Sequence, residues 1–112
     1  MKSITKNYKK ITMTIMRKRK CLYIAGKISG EEYMNAYLKF DEAERRWKSI
    51  AKIINPMKIC DKDWSWLRCM VICLWNLIFK CNRIYMLPDW NESRGARTEL
   101  FVALLLRKEI VR

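Results

Sequence analysis

The stretch Cys81-Asn-Arg-Ile-Tyr-Met-Leu-Pro-Asp-Trp-Asn-Glu-Ser-Arg-Gly-Ala-Arg-Thr-Glu99 joins an apolar run, a polar loop and the start of a helical pattern. The apolar run stops at Pro88 and the helical pattern begins near Ser93, which predicts a strand, a loop and a helix. A helix N-terminus presents unpaired N–H groups and the positive end of its dipole, so it suits an anion. Gly95 lets the backbone approach a ligand, and Glu99 is expected to be ionised because the dipole favours its charged form. The stretch therefore predicts a phosphate-bearing ligand beside a nucleophile.

The rest of the chain alternates short apolar runs with helical spacing. This order implies a parallel sheet with right-handed crossovers, an α/β fold with helices on both faces of the sheet. A loop is expected at residues 57–63. The strands are predicted at residues 21–25, 50–54, 83–87 and 109–111, and the helices at 31–48, 64–79 and 96–106.

Two predicted strands end in turn signals that add to the candidate site. The first strand runs into Gly26-Lys27-Ile-Ser29-Gly30, and the second stops at Asn55 before a proline. Loops at the carboxyl ends of parallel strands are where open α/β sheets bind ligands. These residues are therefore candidates for ligand contact, and a plain tight turn is the alternative for the glycine loop.

The pattern Ser93-x-Gly95-x-x-x-Glu99 after a short strand resembles the active-site turn of the nucleoside 2-deoxyribosyltransferase superfamily. The wider pattern Tyr23-Ile-Ala-Gly-Lys-Ile-Ser-Gly30, Asn55-Pro56, Ile84-Tyr-Met-Leu-Pro88, Trp90 and Ser93-Arg-Gly-Ala96 is similar to a small phage and bacterial branch of unknown function. The resemblance covers roughly residues 21–111. It implies a flavodoxin-like, Rossmann-like three-layer sandwich with a parallel sheet of four to five strands, formed by a domain at 21–112.

The resemblance also implies roles for single residues. Glu99 would attack the anomeric carbon of a nucleoside or nucleotide, forming a glycosyl-enzyme intermediate. Ser93 and Gly95 would hold a 5′-monophosphate with the following N–H groups, while Arg94, Arg97 or Lys27 adds charge. The early loop, including Ser29, would touch the sugar or phosphate. The simpler alternatives are that Ser93 is an N-cap and Glu99 an ordinary acid of the helix surface.

Two departures from the family pattern leave open whether the chain is an enzyme. The aspartate that protonates the departing base in family enzymes falls here near Cys73 or Leu74, neither of which can serve. Asp61, Asp89 or Glu92 is a substitute whose place the sequence does not fix. One hypothesis is an enzyme, either a nucleotide N-glycosidase (a hydrolase) or a deoxyribosyltransferase-like enzyme. The other is a non-catalytic phage protein that sequesters a nucleotide signal.

The formal net charge of +13 is uneven, because residues 1–20 hold eight Lys or Arg and no acid. This basic N-terminal extension is expected to be a solvated arm or an edge strand near residues 8–15. Nucleic-acid binding through the arm is a third, less favoured hypothesis.

The five cysteines are accompanied by no histidine and no C-x-x-C pair, so no metal or other cofactor is expected. Reduced thiols in a cytoplasm are predicted, with Cys69 and Cys73 as small core residues. No apolar run is long enough to cross a bilayer, so no membrane partner is expected. The apolar helix at 64–79 instead suggests a homo-oligomer, of a kind whose sites the resemblance implies are shared between subunits.

Overall fold

The computed structural model describes residues 21–111, which form one four-stranded, all-parallel sheet with helices on both faces. This confirms the predicted α/β, Rossmann-like architecture. The predicted arm and its edge strand lie outside the described residues. The strands are β1 (Cys21–Ala25), β2 (Lys52–Ile54), β3 (Arg83–Met86) and β4 (Glu109–Val111). The α-helices are α1 (Tyr33–Trp47), α2 (Pro56–Ile59), α3 (Trp66–Phe79) and α4 (Arg94–Leu105), with a 3₁₀ turn at Trp90–Glu92.

The strand order in the sheet is β2-β1-β3-β4. Tyr23 of β1 lies opposite Ile54 of β2 on one side and Ile84 of β3 on the other. The chain therefore moves outward from β1 to β2 and then returns to the other side of β1 to form β3. Ligands of open α/β sheets bind at such a reversal, outside the carboxyl ends of the strands. The crevice between the ends of β1 and β3 is the expected binding position in this fold.

The side chains of the central strands point alternately to the two faces of the sheet and contribute to a separate hydrophobic core on each face. Leu22 and Ile24 pack with Phe40 of α1, whereas Tyr23 and Ala25 pack on the other face with residues of α3 and α4. Successive side chains of a strand point to opposite faces, so a continuous apolar run is what a sheet covered on both faces requires. Tyr23 consequently points to the same face as α3 and α4, which also carry the candidate site.

Polar side chains cap three of the helices at their N-termini. Ser65 Oγ accepts from the backbone N–H of Arg68 at 3.2 Å at the start of α3. Asn55 Oδ1 accepts from the N–H of Met57 at 3.0 Å, with Pro56 as the first residue of α2. The short helix α2 corrects the predicted loop at 57–63, because an Asn-Pro pair is both a turn signal and a good helix start.

Within the part of the chain that the structure describes, no helix is long and apolar enough to cross a membrane.

Candidate functional site

A cavity of about 240 Å³ opens at the carboxyl edge of the sheet and is lined by residues of all four α-helices and of the loops between them. It contains five of the predicted site residues, from both the early loop and the turn that starts α4: Gly26, Ser29, Ser93, Gly95 and Glu99. Its volume is slightly below the roughly 300–1,000 Å³ typical of small-molecule pockets. The cavity therefore has room for a small ligand or for part of a larger one.

Gly26 allows β1 and the chain after β3 to approach each other closely beneath this cavity. A Cβ atom at Gly26 would lie 2.5 Å from Leu87 Cδ1 and 2.9 Å from Leu87 Cβ. Real Cβ atoms do not approach side-chain carbons so closely, so a larger residue would push the loop and the strand end apart. Gly26 thus positions the loop that bounds the cavity.

A cluster of partly buried charged side chains connects the same loop to the segment after β3. Asp89 accepts from the backbone N–H of Lys27 at 3.1 Å and is paired with the ammonium group of Lys39. Lys39 also donates to the Lys27 carbonyl at 2.8 Å and to Glu31 at 3.0 Å. Burial raises the pKa of the Asp89 carboxyl, but the hydrogen bonds from Lys39 and Lys27 outweigh it and hold the pKa below its usual range. Asp89 is therefore an ionised anchor for the loop.

The N-terminus of α4 forms the opposite wall. Ser93 is its N-cap, and Ser93 Oγ accepts from the N–H of Ala96 at 3.1 Å. Gly95 lies against α3, where an added Cβ would be 3.1 Å from Met70 Sδ and 3.8 Å from Ser93 Oγ. The N-cap interpretation of Ser93 is thus confirmed, and Ser93 also lines the cavity.

Glu99 is 5% exposed and lies in the cavity wall next to Tyr23. Neither Glu99 Oε2 nor Tyr23 Oη has a hydrogen-bond partner among residues 21–111. Burial raises the pKa of the Glu99 carboxyl to about 8, a shift that the Tyr23 hydroxyl partly opposes. The prediction that Glu99 is ionised by the helix dipole is therefore wrong: desolvation outweighs the dipole and favours the protonated acid. The alternative of an ordinary surface acid is also wrong.

Aromatic and cationic side chains border the cavity mouth. Tyr33 is 40% and Trp66 43% exposed, and both line the cavity together with Trp64. Lys62 also lines it and lies 5.6 Å from the centroid of the Tyr33 ring. These residues offer flat surfaces for stacking and a positive charge for an anion. Sequence reasoning overlooked Lys62 because residues 61–65 show no pattern that distinguishes them from an ordinary polar loop.

Five predicted site residues do not line the cavity. Asn55 is buried, but its side chain caps α2 and donates to Glu44 Oε1 at 3.2 Å. Gly30 has a positive φ of 83° and an open surrounding, as a turn requires. The guanidinium of Arg94 lies 4.6 Å from the Trp66 ring centroid, so it is close to the mouth. The others are Lys27, whose backbone belongs to the Asp89 cluster, and the exposed Arg97.

The three carboxyl groups named as substitutes for the missing general acid lie in different places in the structure. Asp61 lines the cavity, whereas Asp89 and Glu92 do not. Cys73, near the position where the family pattern has an acid, does line the cavity, and burial raises the pKa of its thiol to about 12. Asp61 is accordingly the one of these three carboxyl groups that shares the cavity with Glu99.

Three cysteines meet in the same cavity wall, a feature missed at the sequence level. Cys60 and Cys69 form a disulfide with their Cα atoms 5.7 Å apart, which corrects the prediction that all five cysteines are reduced. The sulfur of Cys73 lies 3.5 Å from that of Cys60 and 3.8 Å from that of Cys69. The turn after α2 folds back against α3, bringing together cysteines whose spacing matches no common motif.

A parallel sheet with a cavity at its topological reversal, lined by a helix N-terminus and a buried carboxyl, defines a small Rossmann-like fold. The sequence profile of the family described as "Domain of unknown function (DUF4406)" matches residues 20–112, and the chain belongs to that family. No curated protein and no solved structure matches the sequence.

Proposed function

We propose that the cavity binds a nucleotide or nucleotide-derived ligand and that Glu99 cleaves the N-glycosidic bond of that ligand. The observation that carries the proposal is a buried carboxyl with an unpartnered oxygen in a cavity shared with the Ser93 cap. A buried polar atom without a partner costs free energy, and such atoms are enriched where a ligand completes the site. The resemblance to the nucleoside 2-deoxyribosyltransferase superfamily supplies the ligand class.

The arrangement suits a sugar phosphate that enters between the two walls. The phosphate would lie at the N-terminus of α4, beside Ser93 and Gly95, which line the cavity. Lys62 and Arg94 stand near the mouth and would add positive charge. The base would then lie toward the exposed rings of Tyr33 and Trp66, on which it can stack.

In the proposed reaction, an ionised oxygen of Glu99 attacks the anomeric carbon while the bond to the base nitrogen breaks. The electron pair of that bond leaves with the base, which takes a proton from Asp61. Water then attacks the anomeric carbon of the glycosyl ester, gives one proton to the Asp61 carboxylate and releases Glu99 as a carboxylate; a second base in place of water would give transfer. Because Glu99 must have lost its proton while Asp61 still holds one, the rate is expected to pass through a maximum as the pH rises.

Release of free base from a panel of nucleoside 5′-monophosphates tests this reaction. Base release that disappears in Glu99→Gln and persists in Glu92→Gln, an exposed control on the 3₁₀ turn, supports it. Turnover that survives Glu99→Gln would contradict the assigned role.

A second candidate is a non-catalytic protein that sequesters a nucleotide signal, in line with the phage branch that the sequence resembles. The observation that favours it is Cys73, a buried thiol near the position of the family's general acid. This candidate predicts tight binding of a nucleotide without product, and binding that survives Glu99→Gln.

We also propose that the protein assembles into a homo-oligomer through an apolar face formed by α3 and α4. The apolar side chains that form this face are each more than half exposed. Those on α3 recur every four residues along one side of the helix. Contiguous apolar surface of this kind marks an interaction site. The α3–α4 apolar face consists of Leu67, Val71, Trp75, Phe79, Phe101, Leu104 and Leu105. It begins one residue from Trp66, so a second subunit on it would stand close to the cavity mouth.

A further inference from the structure

The cysteines of the cavity wall form a cluster of three, not a pair. The sulfurs of Cys60, Cys69 and Cys73 all lie within 4.8 Å of one another. Cys60 and Cys69 are joined by a disulfide, and the sulfur of Cys73 lies next to both of their sulfurs.

The positions of the three sulfurs suit the coordination shell of a thiophilic metal. In a tetrahedral zinc site with Zn–S bonds of about 2.3 Å, neighbouring sulfurs are about 3.8 Å apart. Cys73 Sγ is 3.5 Å from Cys60 Sγ and 3.8 Å from Cys69 Sγ. The separation of 5.7 Å between the Cα atoms of Cys60 and Cys69 lets their sulfurs move apart by side-chain rotation once their bond is reduced.

The supporting elements are also suitable for a metal site. Cys69 and Cys73 are one turn apart on α3, so they project from the same side of that helix. Cys60 comes from the residue that ends α2 and closes the third side. All three line the cavity, which provides both an entry path for an ion and an open position for a fourth ligand.

We propose that Cys60, Cys69 and Cys73, in their reduced form, bind one thiophilic divalent ion of the Zn²⁺ class in the cavity wall. A thiol reductant transfers two electrons to the Cys60–Cys69 bond and yields two thiols and its own disulfide. Binding of the ion then releases three protons, one from each thiol, and leaves a complex with one net negative charge. Lys62, in the same cavity, offsets that charge. The fourth position faces the cavity and is open to water or to a ligand atom.

The site does not depend on the role of Glu99, because its ligands are sulfurs on α3 and the turn before it. It can exist in an enzyme or in a binding protein. Loss of base-release activity would therefore leave this inference unaffected, and failure to bind metal would leave the proposed reaction unaffected.

The test uses the full chain, reduced with a phosphine, stripped of metal with a chelator and titrated anaerobically with Co²⁺. We expect one ion per chain, with the intense thiolate-to-cobalt charge-transfer absorption of a sulfur-rich tetrahedral site that Zn²⁺ then abolishes. Loss of even an outer-shell partner lowers metal affinity roughly 10–100-fold, so Cys73→Ala or Cys60→Ala should lower it by at least that much. Cys21→Ala is the matched control, because its sulfur lies 3.0 Å from that of Cys81, outside this cluster.

X-ray absorption of the zinc-loaded wild-type protein is a second test, and its result does not depend on whether a variant folds. Three sulfur neighbours at about 2.3 Å are expected. The inference is overturned if the reduced wild-type chain takes up no ion, or if uptake is unchanged in both Cys60→Ala and Cys73→Ala. It is also overturned if the bound zinc has fewer than three sulfur neighbours.

Discussion

Replacing Glu99 by glutamine removes a buried carboxyl while keeping its size and one hydrogen-bonding oxygen. The carboxyl titrates at about 8 in the folded protein and near 4.5 when unperturbed. Below about pH 4.5 both states hold the proton, so the group contributes no pH-dependent penalty there. As pH rises, the unfolded chain releases the proton first, so the folded state becomes less favourable until the folded carboxyl also ionises near pH 8.

The magnitude follows from the interval between the two pKa values. At about 1.4 kcal/mol per pH unit, the interval from 4.5 to about 8 corresponds to about 5 kcal/mol of unfolding free energy. Glu99→Gln has no such titration. Its unfolding free energy minus that of the wild type should therefore rise by about 3 to 5 kcal/mol between about pH 5 and pH 8 and then level off.

Urea unfolding followed by tryptophan fluorescence at a series of pH values measures this difference. Glu92→Gln is the matched control, since Glu92 is exposed on the 3₁₀ turn and the same chemical change is made there. Its difference from the wild type should stay nearly constant over the same range. If the Glu99→Gln difference is also constant, the carboxyl ionises at its ordinary pKa, and the account of its burial is wrong.

Five further substitutions test the other parts of the account. Ser93→Ala and Ser65→Ala each remove a helix N-cap and should each lower the unfolding free energy by about 1 kcal/mol in urea titrations; no loss in either would refute the capping. Gly26→Ala should lower the unfolding free energy by about 1–3 kcal/mol through overpacking against Leu87. Gly30→Ala should lower it by about 1 kcal/mol, because the positive φ at that position strains alanine. A thermal melt in which Gly26→Ala is as stable as the wild type would argue against the close approach of Gly26 and Leu87. Trp75→Glu places a charge on the α3–α4 apolar face and should convert the oligomer to a monomer in light scattering; a wild-type monomer at micromolar concentration would contradict the proposed assembly.

The layers of the fold were predictable because they rest on local periodicity. The continuous apolar run in β1 indicates a strand covered on both faces, and the spacing of α1 indicates an amphipathic helix. The short helix α2 was missed although its signal was present, since Asn55 and Pro56 suit the N-cap and first position of a helix as well as a turn. The order β2-β1-β3-β4 was not predicted, because right-handed crossovers constrain the face that each helix covers and not which strands pair.

The site was predictable in its location but not in its electrostatics. Gly95 and Glu99 are four residues apart, so they lie on the side of α4 that lines the cavity. Arg94 and Arg97 lie on other sides of that helix. The protonation of Glu99 was not predictable, because it depends on burial beside Tyr23, which comes from β1. The cysteine cluster likewise depends on how the turn after α2 meets α3, a contact between segments that leaves no periodic signal in the sequence.

The most direct test of the central claim compares wild type with Ser93→Asp in calorimetric titrations with nucleoside 5′-monophosphates and the corresponding nucleosides. Aspartate is as good an N-cap as serine, so α4 should remain intact while its negative charge repels a phosphate at the cavity wall. The account predicts that the wild type binds at least one monophosphate more tightly than its nucleoside, and that Ser93→Asp loses this preference by at least roughly tenfold, about 1.4 kcal/mol. A wild-type protein that binds no monophosphate, or a Ser93→Asp variant that binds monophosphates as tightly as the wild type, would contradict it.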